Sequence, residues 1–225
     1  MSAFKDPAAI VNYADRAAQQ VPGLRDLHRM MGILLAEHCG AKAEILVLGA
    51  GGGMELQALA EARPSWRFVG VDPSAAMLDL ARERLGPLQD RVTFCEGLIG
   101  VAPLGPFDGA TCLLTLHFVP REDRLATLHA LRTRLKPGAP LVMAHHSFPQ
   151  DDVGKARWLG RFAEFGISNG VPEDQARRAI TAIGNQLPVV APADEEALLR
   201  QAGFEQVELF YAAFSFRGWV AVNPG

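Results

Sequence analysis

The chain has 225 residues, of which 49% are hydrophobic and 21% are charged, and its formal net charge at pH 7 is −3. The length suits one domain with a substantial core, and the composition is that of a globular protein. The small net charge gives no basis for an extended nucleic-acid-binding surface, and no stretch has the pattern of a signal peptide or a membrane span, so we expect a cytoplasmic protein.

The first forty residues predict two helices ahead of any strand. Apolar residues recur at helical spacing over residues 7–20, and the sequence Val-Pro-Gly at 21–23 breaks that pattern. A second amphipathic stretch covers residues 24–39 and stops at Gly40. Helices in this position are not part of a sheet, so we expect them to cover the cofactor or the substrate.

An apolar run at residues 45–48 ends abruptly in a glycine-rich loop, residues 49–53. Because the run has no polar alternation, it predicts a strand buried on both faces of a parallel sheet. Gly49, Gly51 and Gly53 let the chain turn sharply and let bare backbone N–H groups approach a ligand, at the start of the helix that follows.

The next predicted strand, residues 66–71, ends in Asp72, nineteen residues after Gly53. A carboxylate at that point accepts hydrogen bonds from both hydroxyls of a ribose, so the two strands predict a nucleoside pocket. The spacing of the loop glycines distinguishes a dinucleotide from S-adenosylmethionine (SAM), because a dinucleotide-binding loop needs its third glycine where this chain has Met54. The G-x-G-x-G loop and residues 71–74 resemble the first two motifs of the class I SAM methyltransferases.

Ser74 is a good N-cap for a helix over residues 75–85. Met77 falls in its first turn, where the side chain either lies against adenine or only fills the core. The residues expected to face the sheet are Ala76, Leu80 and Leu85.

A third strand at residues 91–95 leads into Gly97, Leu98 and Ile99. The resemblance to class I methyltransferases implies an acidic residue after this glycine that binds the adenine amino group. This chain has Leu98 there, so we expect backbone groups of Leu98 and Ile99 to flank adenine instead.

Residues 107–118 predict the fourth parallel strand and its exit loop, so Thr115 to Phe118 should face the ligand. The fifth strand, residues 141–144, delivers His145 and His146 to the same edge of the sheet. Adjacent strand residues face opposite ways, so one of the two imidazoles should enter the cleft. A histidine there is a candidate base because it titrates near neutrality, although a structural role is the alternative.

The strand–helix alternation breaks at residues 149–190, which we call the lid. Two helical stretches flank residues 168–172, and their apolar faces are not needed by the sheet, so the lid is expected to contact a substrate or a partner. Arg177 and Arg178 are expected on a solvated face. A last helix at 194–201 and two β-rich runs separated by a short turn then predict an antiparallel hairpin at the edge of the sheet.

The prediction is therefore an α/β protein with a Rossmann-like class I methyltransferase fold. It has a mostly parallel seven-stranded sheet that ends in an antiparallel hairpin, with helices on both faces. The single domain 1–225 divides into an N-terminal helical cover (1–40), a cofactor-binding core (41–148), the lid (149–190) and a C-terminal helix with the hairpin (191–225).

Several stretches narrow the resemblance to the carboxy-SAM synthase family, which acts in tRNA wobble-uridine modification. They are residues 21–23, 114–118, 135–138, 202–204 and 214–216. That family holds a carboxylated sulfonium cofactor with a tyrosine after Val-Pro-Gly and an arginine shortly before Ala-Gly-Phe. The matching residues here are Leu24 and Leu198, and Arg200 lies on a different helical face. A buried carboxylate without a partner is strongly disfavoured, so we expect ordinary SAM.

We therefore predict a methyltransferase that uses SAM, releases S-adenosylhomocysteine and acts on a small-molecule acceptor. The candidate catalytic residues are His146 and His117, as a base or as groups that orient the acceptor. The candidate cofactor-binding residues are Gly49, Ala50, Gly51, Gly53, Asp72, Pro73, Met77, Gly97, Leu98, Ile99, Leu114 and Thr115.

Three other functions stay open. The first is carboxy-SAM synthesis, which would form its product from SAM and prephenate. The second is an NAD-dependent oxidoreductase, although the third glycine of a dinucleotide-binding loop is absent. The third is a non-catalytic SAM-binding protein, which would need no catalytic base.

The apolar N-terminal helices and residues 158–167 suggest a homodimer. The three cysteines, Cys39, Cys95 and Cys112, are widely spaced, which predicts reduced thiols, and no metal site is expected.

Overall fold

The computed structural model describes residues 13–225, so the helix predicted over 7–20 is described only from Tyr13. The helices of this part of the chain are α1 Tyr13–Gln20, α2 Leu24–His38, α3 Met54–Ala62, α4 Ala75–Leu85, α5 Arg121–Arg132, α6 Asp152–Ser168, α7 Glu173–Gln186 and α8 Pro192–Gln201. The strands are β1 Glu44–Leu48, β2 Arg67–Asp72, β3 Val92–Glu96, β4 Gly109–Leu113, β5 Pro140–His146, β6 Glu205–Ala213 and β7 Phe216–Val222.

The seven strands form one sheet in the order β3-β2-β1-β4-β5-β7-β6. The first five in this order run parallel, whereas β7 is antiparallel to both β5 and β6. The predicted fold class, including the closing hairpin, is thus confirmed. The chain order reverses between β1 and β4, and ligands of open α/β sheets bind beyond the carboxyl ends of the strands at such a switch point.

Strand β1 is buried on both faces, as its unbroken apolar run predicted. Ile45 and Val47 belong to a core cluster that includes side chains of α2 and α3, whereas Leu46 and Leu48 belong to a second cluster with side chains of α5 and α8. Because side chains alternate along a strand, these two clusters lie on opposite faces of the sheet.

The Ser74 hydroxyl accepts a hydrogen bond from the Met77 N–H and caps α4 as predicted. The expected sheet-facing set was partly wrong, because Ala76 is exposed and Leu80 is half-buried. The buried side chains of α4 are Met77, Leu78, Ala81 and Leu85. The helical period fixes this register once the capping position is set.

The lid forms the helical pair α6 and α7, which pack against each other, and α6 also packs against α1. Asn169 at the end of α6 donates a hydrogen bond from Nδ2 to the Gln19 carbonyl, 3.2 Å away. Arg177 and Arg178 are exposed and pair with acidic residues one helical turn earlier, as expected of a solvated face. Within residues 13–225, no helix is long and apolar enough to cross a membrane.

Candidate active site

The glycine loop is closed by its own backbone hydrogen bonds. The N–H groups of Gly49 and Ala50 both donate to the Val71 carbonyl, at 2.8 and 3.0 Å, and the Gly52 N–H donates to Met77. The expectation of bare loop N–H groups is therefore wrong for the structure, since the loop uses them to join β1 to β2 and α4. The amides at the start of α3 have no acceptor within their helix, and they are the donors left for a ligand at this end of the site.

Asp72 lies at the end of β2 and holds the two motifs together. Its Oδ2 accepts the Gly51 N–H at 3.0 Å, and its Oδ1 accepts the Ser74 N–H at 2.9 Å. Burial raises the pKa of Asp72, and these two hydrogen bonds offset part of the rise. The carboxylate is half-buried, so it is oriented by the protein and still reachable by a ribose.

The loop glycines are required by space. A Cβ on Gly51 would lie 2.6 Å from Asp72 Oδ2, and a Cβ on Gly49 would lie 1.8 Å from Thr115 Oγ1. A Cβ on Gly52 would lie 2.7 Å from the Tyr13 ring. The glycine loop is therefore packed against Asp72, Tyr13 and Thr115, and Tyr13 brings the start of α1 next to the loop.

The exit loop of β4 carries backbone strain beside the glycine loop. Leu114 has φ 53°, a left-handed conformation that a leucine rarely adopts. Its N–H donates to the Ala144 carbonyl at 2.6 Å, and the next residue, Thr115, bonds the Leu113 carbonyl through Oγ1 at 2.8 Å. Such strain is held by surrounding contacts and clusters at ligand sites. Leu114 and Thr115 thus lie where the sequence placed them, at the carboxyl end of β4.

The structure brings His117 and His146 together, and both are buried. His117 Nδ1 accepts the His146 backbone N–H at 3.1 Å, so the neutral His117 ring carries its proton on Nε2. His146 Nδ1 lies 3.0 Å from Ser215 Oγ, and its ring stacks on Phe216 with centroids 4.0 Å apart. Burial lowers the pKa of His146 to about 3 and lowers the pKa of His117 well below its usual value.

His145 points to the opposite face of β5, as strand alternation predicted. Its Nε2 lies 3.0 Å from Glu195 Oε1, and Glu195 also pairs with the buried Arg124. The Arg124 guanidinium donates in addition to the Pro188 carbonyl at 2.7 Å, where the chain leaves the lid. This cluster ties the end of the lid to α5 and α8.

The lid reaches the histidine pair through Phe162 on α6. The Phe162 ring is buried and meets the His146 ring edge-on, with centroids 5.3 Å apart. It also lies 6.1 Å from the Phe216 ring on β7. The aromatic side chains around His146 are therefore Phe162 of the lid, Phe148 just after β5 and Phe216 of the closing hairpin, and they bury its ring.

The predicted adenine side of the site is only partly enclosed. Met77 is buried and lies against the loop, because a Cβ on Gly51 would be 2.9 Å from Met77 Cβ. Gly97 donates its N–H to the Asp72 carbonyl at 3.0 Å, which brings the loop after β3 next to β2. Leu98 is 59% exposed. Pro73 is exposed and Ile99 is half-buried, so an adenine ring would gain an apolar wall without a charged partner.

Leu24 and Leu198 are packed in different cores. Leu24 is buried in the cluster formed with α2 and α3, and Leu198 packs against the cluster on the other face of the sheet. Arg200 is exposed and pairs with Glu196 at 3.1 Å. None of these contacts provides a cation for a carboxylated cofactor.

The residues described by the structure contain no group of histidine, cysteine and acidic side chains that could hold a metal ion. Cys112 is buried, and burial raises its pKa; Cys39 and Cys95 are half-buried free thiols. A groove of about 770 Å³ lies between α1, α2 and α3, and none of the predicted site residues lines it.

Sequence reasoning missed several residues that the fold brings to the site. They are Tyr13, Glu55, Phe162, Ser215 and Phe216. Only Glu55 had a local signal, because it is an acidic residue in the first turn of the helix after the glycine loop. The other four residues reach the site through contacts between distant parts of the chain.

The sheet order, the glycine loop and the strand-end Asp72 define the Rossmann-like fold of the class I methyltransferases, and residues 46–141 match the methyltransferase domain family. Phosphoethanolamine N-methyltransferase 2 of Haemonchus contortus, solved with SAM, superposes with a TM-score of 0.69 at 14% identity, covering 97% of this chain and 57% of that chain. An O-methyltransferase family protein of Burkholderia thailandensis gives 0.65 at 16% identity, covering 97% and 60%.

Two relatives narrow the family. A carboxy-S-adenosyl-L-methionine synthase of Chromohalobacter salexigens is 30% identical over 221 residues, which are 96% of this chain and 82% of the relative. A synthase of the same name from Pasteurella multocida is 25% identical over 219 residues, 94% and 89% of the two chains. The chain belongs to the carboxy-SAM synthase family of methyltransferase-fold proteins. The predicted resemblance is confirmed, and SAM is the cofactor of this class.

Proposed function

We propose that the chain is a SAM-dependent methyltransferase that acts on a small-molecule acceptor. The observation that carries the proposal is the pair Leu24 and Leu198, both packed among apolar side chains where the family resemblance implies a tyrosine and an arginine. A carboxylate added to the sulfonium would have no partner at either position. Ordinary SAM needs no such partner.

The site residues fit SAM. Asp72 binds the ribose, Met77 and Ile99 contact adenine, Leu98 lies at its open edge, and the first-turn amides of α3 bind the carboxylate of the methionine half. Gly49 and Gly51 keep the loop thin enough for the cofactor to lie across the switch point. The bound cofactor supplies a methyl group that its sulfonium already activates, so the protein mostly has to align the acceptor and exclude water.

His117 and His146 act in this scheme as neutral groups that orient the acceptor. A pKa of about 3 makes His146 a weak base at physiological pH. His117 is fixed as a tautomer with Nε2–H, which donates a hydrogen bond and does not accept a proton. Leu114 and Thr115 line the transfer site, and Phe162 of the lid closes it over the histidines.

A direct test is incubation with SAM carrying a labelled methyl group and a panel of small hydroxy, carboxy, amino and thiol compounds. We expect label in one acceptor class together with S-adenosylhomocysteine. Binding of SAM without transfer to any acceptor would favour a non-catalytic SAM-binding protein.

The proposal includes the division of the chain into N-terminal cover, core, lid and hairpin, and it includes a homodimer. A solution mass near the 24.3 kDa of one chain would refute the dimer.

Carboxy-SAM synthesis is the second candidate, favoured by the 30% identity to the Chromohalobacter salexigens synthase. Incubation with SAM and prephenate separates the two functions. Formation of carboxy-SAM would replace the methyltransferase proposal, because it would mean that another group binds the carboxylate.

A further inference from the structure

Glu55 is a buried acid beside the proposed cofactor site. It lies in the first turn of α3, two residues after Gly53, and its side chain is only 7% exposed. Its Oε1 is buried and has no hydrogen-bond partner within the described part of the chain. The Thr111 hydroxyl on β4 lies beside the carboxyl, and Thr111 Oγ1 also has no hydrogen-bond partner among the described residues.

Among residues 13–225, no cation lowers the pKa of Glu55. The titratable groups that feel its charge are Tyr13 on α1 and Cys112 on β4, and a negative Glu55 raises the pKa of each. Burial raises the pKa of Glu55 to about 8, and the Thr111 hydroxyl offsets part of that rise. A pKa of about 8 favours the neutral carboxylic acid at pH 7, and Oε1 has no hydrogen-bond donor within the described part of the chain.

The geometry identifies one cationic group that would reach it. The first-turn amides of α3 are the donors available to the α-carboxylate of the cofactor's methionine half. The α-ammonium is attached to the same carbon atom, so it must also lie at this first turn. Asp72 is assigned to the ribose, and Glu55 Oε1 is a carboxyl oxygen near the glycine loop that has no hydrogen-bond partner among residues 13–225.

We propose that Glu55 binds the α-ammonium group of the cofactor, and that binding transfers the carboxyl proton of Glu55 to the solvent. The proposal rests on the proposed cofactor binding and deepens it. The neutral acid becomes a carboxylate paired with the ammonium, and the released proton is taken up by the buffer, so charge and atoms balance.

This coupling predicts that SAM affinity increases with pH. A group that must lose a proton to bind gives up to a tenfold rise in affinity per pH unit, as long as pH stays below its free pKa. With a pKa of about 8 for Glu55, roughly nine-tenths of a proton should be released per SAM bound at pH 7. In Glu55→Gln, SAM binding should release no proton. The tenfold rise in SAM affinity per pH unit should therefore be lost, and the affinity should be nearly independent of pH between 6 and 7.5.

The experiment is calorimetric titration of the full chain at pH 7 in two buffers with different ionisation enthalpies, because the difference in heat counts the protons released. SAM and S-adenosylhomocysteine both carry the ammonium and should release a proton. 5′-Methylthioadenosine lacks the amino-acid half and should bind without release. Glu61→Gln is the matched control, because Glu61 is an exposed acid on the same helix and should leave both affinity and proton release unchanged.

The outcomes separate this proposal from the proposed function. Binding of SAM with no proton release, or release that persists in Glu55→Gln, would overturn the role of Glu55 alone. Release by 5′-methylthioadenosine would also overturn it, because the ammonium could not be the cause. Absence of SAM binding by the unaltered chain would overturn the cofactor assignment and the role of Glu55 together.

Discussion

The Asp72 carboxylate accepts a hydrogen bond from the Gly51 backbone N–H, 3.0 Å away, and thereby joins the glycine loop after β1 to the end of β2. The contact spans 21 residues of sequence. It orients the carboxylate with protein groups alone, so a ribose would meet an acid whose position is already fixed. A site preorganised in this way loses less entropy when the ligand binds.

Replacement of Asp72 by alanine should weaken SAM binding by about 1.5–3 kcal/mol, the range for hydrogen bonds to a charged group. Calorimetric titration with SAM measures the loss directly. Asp72→Asn is the companion variant, because its amide oxygen still accepts one backbone N–H and keeps the loop closed. SAM affinity that is unchanged in Asp72→Ala would remove this residue from the site.

Gly51→Ala should weaken SAM binding at least tenfold, because its Cβ would lie 2.6 Å from Asp72 Oδ2 and displace the carboxylate. Gly100→Ala is the matched control, since a Cβ there has no neighbour within 4 Å and Gly100 needs no left-handed backbone. Thermal unfolding of both variants would show whether a loss of affinity merely follows a loss of stability. Equal SAM affinities for the two variants would contradict a close fit between the loop and Asp72.

His146→Ala should lower turnover and leave SAM affinity nearly unchanged, because the ring lies among Phe162, Phe216 and Ser215 at the transfer side of the site. A pKa of about 3 further predicts a rate profile without an ionisation of His146 between pH 5 and 9. Steady-state kinetics on the acceptor found by screening, with calorimetry alongside, tests both statements. Equal losses in turnover and SAM binding would mean that the ring only supports the fold.

Arg124→Met should destabilise the chain by about 3–5 kcal/mol, since it leaves the buried Glu195 carboxylate without its guanidinium partner. The same change removes the hydrogen bond to Pro188, so the end of the lid should become more sensitive to proteolysis. Urea unfolding measures the first effect and limited proteolysis the second. The double variant Arg124→Met with Glu195→Leu should recover much of the stability, and no recovery would show that packing outweighs the ion pair.

The fold could be predicted from the sequence because its strands are marked by local patterns. The run at residues 45–48 has no polar position, which predicts a doubly buried strand, and Asp72 follows the second strand at the spacing of a nucleoside site. The hairpin followed from the short turn between two β-rich runs. Each of these signals lies within a few residues of the element that it predicts.

The finer chemistry of the site depends on contacts between distant residues. Tyr13 lies over Gly52, and Arg124 pairs with Glu195 across 71 residues, and neither contact leaves a local signal. The burial of Glu55 likewise involves a distant residue, because Thr111 on β4 lies beside its carboxyl. The engagement of the loop amides by Val71 depends on strand register, which the sequence pattern does not specify to one residue.

The central claim is that this chain binds SAM in preference to carboxy-SAM, since Leu24 and Leu198 stand where the family resemblance implies two polar partners. Side-by-side calorimetric titration of the ligand-free protein with both compounds tests it most directly. Tighter binding of SAM is the predicted result. Tighter binding of carboxy-SAM would contradict the account, because another group would then have to bind the extra carboxylate, and the synthase function would replace the proposed one.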